Sequence, residues 1–175
     1  MATLSVGGNT VFDGATLQRG VQPGGSIQKY EFARTTNSTH WEPTDSWLQV
    51  PGSNISYTPV TGATYVWYNC RIRIDSHDTR MIVAFRISLD GTTLDYTRVS
   101  IDTDGTTGEH EGAWENFDAT IPGWSGAKTV QLESRVYSGS YEARFHRNNY
   151  YKETDAGGME GTIYTPTEVT IYSIM

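Results

Sequence analysis

Apolar and polar residues alternate from residue 68 to residue 74, and Val66 extends the apolar side. Val66, Tyr68, Cys70, Ile72 and Ile74 fall on one side, and Asn69, Arg71 and Arg73 on the other. A repeat of two is that of a β-strand, whose successive side chains point to opposite faces. Met81, Val83, Phe85, Ile87 and Leu89 renew the pattern, and Asp90-Gly91 closes it. Asp-Gly is a strong hairpin signal, because both central residues of a tight hairpin turn need positive φ. Residues 92–101 are therefore expected to return as the partner strand.

The same punctuation runs through the chain. Residues 26–35 alternate, and residues 47–50 and 53–60 read as short strands parted by Pro51-Gly52. Residues 114–121 form a strand closed by Pro122-Gly123, and residues 128–137 place Val130, Leu132 and Val136 inward. Ser138-Gly139 turns that strand into residues 141–150, while residues 102–112 and 152–162 read as loops. The last strand, residues 167–175, puts Val169, Ile171 and Ser173 on one face, and Val169, Ile171, Ile174 and Met175 spread apolar residues over both, which predicts a central strand covered on both sides. Evenly spaced strands without a helical stretch predict an all-β, antiparallel jelly-roll sandwich over residues 26–175.

Residues 1–25 differ in kind. Gly7-Gly8, Gly14, Gly20 and Pro23-Gly24-Gly25 are too dense for an independent core, since each glycine costs extra backbone entropy to order. This stretch is expected to be an extended N-terminal arm that orders on a partner, with Leu4, Val6, Val11, Phe12 and Leu17 as anchors. A frayed terminus is the plainer alternative.

The chain has 175 residues, enough for one domain with a real core. Its net charge of -7 repels nucleic acid and anionic membranes, and no nucleic-acid partner is expected. A single cysteine excludes an internal disulfide, so packing or oligomerisation must supply stability. No signal peptide or apolar run of membrane-spanning length is visible, so synthesis in a cytoplasm and no membrane partner are expected. The sequons at Asn37 and Asn54 are read as chance.

The chemistry-bearing residues select no active site. His40, His77, His110 and His146 show no metal-ligand spacing, and Cys70 lies on the apolar face of its strand, where it reads as a buried small hydrophobe. No nucleophile elbow or phosphate loop is present. The run Ser100, Asp102, Asp104, Gly105, Glu111 loosely mimics a calcium loop, but it opens on a serine and has no flanking helices. A solvated acidic loop is the preferred reading, and no metal or cofactor is expected. Trp41, Trp47, Trp114, Trp124, Tyr137, Tyr141, Tyr150 and Tyr151 could fill the core or an interface, or make a platform that stacks on sugars. Trp124, between glycines and beside Pro122, is the exposed candidate, with Tyr150 and Tyr151 as further contacts. Arg71, Arg73 and Arg86 are expected to pair across strands or subunits rather than bind an anion.

Three stretches carry a resemblance. The opening residues 1–13, Met-Ala-Thr-Leu-Ser-Val-Gly-Gly-Asn-Thr-Val-Phe-Asp, look like the start of short phage virion proteins. The hairpin at residues 85–93, Phe-Arg-Ile-Ser-Leu-Asp-Gly-Thr-Thr, looks like the central hairpin of one group of them, and the order of residues 130–138, a second strand and the closing residues 169–175 looks like its C-terminal half. The chain resembles the small trimeric jelly-roll proteins of tailed bacteriophages, which are similar in fold to the tumour-necrosis-factor and complement-globular-head family. The resemblance implies a non-enzymatic virion protein of capsid decoration, cement or head-fibre type, placed on the virion surface. Its partners would be two further copies in a homotrimer, and the major capsid protein or another virion protein. A fibre-tip protein recognising host glycans is the second reading, and a carbohydrate-binding or glycan-cleaving β-sandwich, from a different class, is the third.

Overall fold

A computed structural model describes residues 3–6, 9–13, 16–17, 27–76, 81–103, 112–141, 143–151 and 159–175, with side chains over 27–75, 81–102, 112–141, 143–148 and 162–175. Within the first stretch, β1 (Thr3–Val6), β2 (Asn9–Asp13) and β3 (Thr16–Leu17) pair antiparallel in that order. The backbones of Leu4, Val6, Val11, Phe12 and Leu17 lie on these strands, and their side chains fall outside the described residues.

The remaining strands are β4 (Ile27–Thr35), β5 (Leu48–Gln49), β6 (Ile55–Tyr57), β7 (Tyr65–Ser76), β8 (Met81–Leu89), β9 (Thr92–Thr103), β10 (Ala113–Pro122), β11 (Lys128–Val136), β12 (Ala143–Phe145), β13 (Arg147–Tyr151), β14 (Met159–Tyr164) and β15 (Thr167–Ile174). One large sheet has the order β10-β7-β15-β4. The other has the order β5-β11-β8-β9, with β6 also pairing with β11. β5 and β6 act as two halves of one strand broken at Pro51-Gly52, where Gly52 takes a φ of 76°. Counted from β4, with that pair as one strand and β12–β14 set aside, one sheet runs sixth-third-eighth-first and the other second-seventh-fourth-fifth, the double Greek key of a jelly roll. β12 continues along β7 beyond the end of β15, so that Ile74 is flanked by Ala113 and Phe145.

The predicted faces hold. Val66, Tyr68, Cys70, Ile72 and Ile74 are buried, and so are Val130, Leu132, Val136, Val169 and Ile171. Phe85 joins the layers, stacking on Phe117 at 4.1 Å and on Phe145 at 5.7 Å. Tyr68 and Ser53 are satisfied across the core. The Tyr68 hydroxyl donates to the Ser53 carbonyl at 2.6 Å, and Ser53 Oγ donates to the Leu132 carbonyl at 3.0 Å. Asp90 and Gly91 both have positive φ, 48° and 76°, as the hairpin requires.

Two expectations are corrected. The loop assigned to residues 152–162 holds the start of β14, which pairs with β13; its Gly161 and Thr162 carry no apolar alternation to betray a strand. Residues 141–150 are not one strand. Phe145 ends β12, and His146 takes a φ of 65°, a left-handed conformation that interrupts any strand. β15 is central in its sheet as expected, but Tyr172 and Ile174 on its outer face remain half-exposed.

Candidate interaction surface

The outer face of the β4-β15-β7-β10 sheet concentrates aromatic groups. Alternation forces this, because residues that leave the core on one strand meet those leaving it on the next. Register places Tyr172 of β15 between Tyr30 of β4 and Trp67 of β7, and Thr170 beside Phe32. Trp67 and Tyr172 stack with ring centroids 5.0 Å apart. Tyr30 is 60% exposed and Phe32 53%. A frame of ion pairs borders this strip. Glu168 receives Arg71 at 3.1 Å and Arg34 at 3.6 Å. Arg71 also lies over the Trp114 ring, 4.3 Å from its centroid.

The opposite sheet is polar on its outer face. Arg86 Nε donates to Glu133 Oε2 at 2.6 Å, while Ser88 Oγ and Gln131 Nε2 donate to Oε1 at 3.1 and 3.0 Å. Burial pushes the Glu133 carboxyl up, but these donors outweigh it and hold it below the usual carboxylate range. Arg71 and Arg86 thus pair across strands as the sequence predicted.

At the open edge between the sheets, Arg86 of β8 stands alone opposite residues 95–98 of β9. Thr97 Oγ1 replaces the lost ladder bonds, accepting from Ile87 N at 2.8 Å and donating to the Leu94 carbonyl at 2.6 Å. A cleft of about 380 Å³ opens there, floored by Phe117, Leu132 and Ile87 and bordered by Glu115 and Asp118.

The other candidates scatter. Trp124 is half-buried, meets Tyr57 edge-on at 6.3 Å and donates Nε1 to the Tyr57 carbonyl, so its ring is engaged inside the fold. This corrects its reading as an exposed contact: flanking glycines signalled a turn, not the side the indole would take. Trp41 packs edge-on against Phe145 at 5.2 Å. Tyr150 and Tyr151 lie on β13, with side chains outside the described residues. Asp102 is exposed near the end of β9, and Asp104 and Glu111 lie outside the described residues. Among the described residues no three His, Cys, Asp or Glu side chains gather as a metal site. Cys70 is fully buried and its thiol is pushed up to about 12 by that burial, which leaves no thiolate for chemistry. His77 and His110 also lie outside the described residues, whereas His40 pairs with Glu42 at 3.2 Å.

Sequence reasoning missed the aromatic strip as a unit. Trp67 and Tyr172 alternate with the buried residues of their strands, but the β4-β15-β7 neighbourhood that assembles the strip joins strands far apart in sequence.

No protein-family model matches the sequence. No curated protein matches it. Among solved structures, the chain is similar to the sugar-binding EclA C-terminal domain at 9% identity and a TM-score of 0.35, covering 67% of this chain and 75% of that one. It is similar to a chain of the T13 particle of infectious bursal disease virus at 13% identity and a TM-score of 0.43, covering 85% of this chain and 38% of that one. Latent PorU of Porphyromonas gingivalis is similar at 8% identity and a TM-score of 0.38, with 92% of this chain and 15% of that one covered. The chain therefore spans well under half of the viral and PorU chains. At these scores the likenesses carry no argument about activity or partners.

Proposed function

We propose that this chain is a non-enzymatic structural protein of a virus particle, a capsid decoration, cement or head-fibre protein. In this reading it trimerises through the outer face of the β4-β15-β7-β10 sheet and attaches to the shell through residues 1–25. The observation that supports it is the strip of Tyr30, Phe32, Trp67 and Tyr172 on a sandwich whose core is already complete. A contiguous apolar patch of this kind marks a partner surface. The partner is a further copy of the chain. Arg34 and Arg71 are answered on this face by Glu168, so the cations beside the strip are compensated where copies would meet.

Light scattering during size exclusion tests the assembly. A stable particle near three times 19.5 kDa is expected, and a clean monomer would overturn the trimer. Attachment is tested separately by deleting residues 1–25 and mixing the remainder with purified shells. The truncated protein is expected to keep its β circular dichroism and to lose attachment; loss of folding would contradict the assignment of an arm.

A further inference from the structure

On the outer face of the β5-β11-β8-β9 sheet, three guanidinium groups surround the indole ring of Trp47. Arg86, Arg135 and Arg98 lie 4.3, 5.6 and 5.7 Å from its centroid. They come from β8, β11 and the widened segment of β9 in that order, so the fold brings them together and no sequence motif does. Two of the three charges are compensated. Arg86 is held by Glu133 at 2.6 Å, and Arg98 by Asp95 at 2.9 Å. Among the described residues no carboxylate pairs with Arg135. The register partner of Arg135 is Ala84, and that of Ala84 is Ser100, so small residues leave open the ground between Arg135 and β9.

Gathering three like charges costs repulsion that one indole and two carboxylates only partly offset. Arg86 is fixed by a network, since Ser88 and Gln131 hold the other oxygen of Glu133. It therefore serves as a rigid platform, and the unanswered charge beside it is Arg135. A guanidinium binds a carboxylate through two parallel N–H donors. The net charge of -7 disfavours a dense polyanion such as nucleic acid, whose charges follow one another closely along the strand. It is compatible with a ligand whose isolated charges sit among hydroxyl groups.

The geometry points to a binding site for an acidic glycan, in which Arg135 takes the carboxylate of a uronate-type sugar and Arg98 supplies the second donor. The site is on the sheet opposite to the proposed self-association face, so its ligand does not compete with assembly.

The test follows the indole N–H resonance of Trp47 in the full chain, assigned with W47F, during titration with trigalacturonate. Maltotriose, inorganic phosphate and single-stranded DNA are the comparison ligands. Trigalacturonate is expected to shift the resonance saturably, and maltotriose to leave it in place. R135A is expected to weaken binding about tenfold or more, as loss of a charge-assisted hydrogen bond does. R135K should restore part of it, and R98A should weaken it less. Equal binding of maltotriose, tighter binding of phosphate or DNA, or an R135A titration matching the unsubstituted chain would overturn the site. Light scattering on the same samples reads assembly independently, so failure of this site and failure of the trimer are told apart.

Discussion

His146 shows how one backbone angle and one burial event set a pH response. Its φ of 65° ends β12, and its ring is buried with Nδ1 3.4 Å from Thr167 Oγ1. Burial disfavours the charged imidazolium and lowers the group from 6.5 to about 4. Below pH 6.5 the unfolded chain therefore takes up a proton that the folded one refuses. This contribution is whole above that value and is lost as pH falls toward 4, up to about 3 kcal/mol. Asn accepts a left-handed backbone and does not titrate. His146→Asn is accordingly expected to flatten the dependence of urea unfolding free energy on pH between 6.5 and 4.5. An unchanged slope would assign that dependence to other groups. Glu42 and Glu133 are both held below the usual carboxylate range, so their contributions fade only beneath this window. Gly123 offers a steric test at the same scale, because a Cβ there would run into the Ala63 carbonyl. Gly123→Ala is expected to destabilise the fold by about 1–3 kcal/mol in chemical denaturation.

At the scale of elements, legibility tracked how local the signal was. β7, β8 and the Asp90-Gly91 hairpin announced themselves because burial on one face writes an alternating pattern into neighbouring residues. β14 did not, since Met159–Tyr164 pairs with β13 through its backbone while its sequence lacks that pattern. The widening of β9 was equally silent. No Gly or Pro marks a break across Asp95, Tyr96, Thr97 and Arg98, and only the opposing register reveals the extra residues. The aromatic strip and the Trp47 cluster belong to the same class, because each draws members from strands far apart in sequence. Thr97 makes the β9 feature testable. Its hydroxyl receives the Ile87 amide that the ladder leaves unpaired. Thr97→Val keeps the shape and removes that acceptor, with an expected loss of about 1–3 kcal/mol in denaturant unfolding. Thr97→Ser keeps the hydroxyl and should recover most of the loss.

For the whole molecule, the question is which surface is left unfinished. The core between the two sheets is closed by Phe85, Phe117 and Phe145, so the fold does not need the outer aromatics for its own packing. Tyr30, Phe32, Trp67 and Tyr172 nonetheless meet on one face. If that face joins copies of the chain, a charge in its middle should separate them without unfolding them. Phe32 is the position to change: it is more than half exposed, and its register partner Thr170 makes no demand on its ring. Phe32→Glu would place like carboxylates together at a symmetric contact and desolvate them, a penalty that a surface site in a monomer would not feel. The expected outcome is a monomer near 19.5 kDa by light scattering, with an unchanged β circular dichroism spectrum and a melting temperature that no longer rises with protein concentration. Retention of the unsubstituted assembly mass would move the interface off this sheet. Loss of the spectrum would mean that Phe32 supports the fold itself, and Tyr30→Glu, on the same strand and 60% exposed, would then decide whether the face or the side chain is responsible.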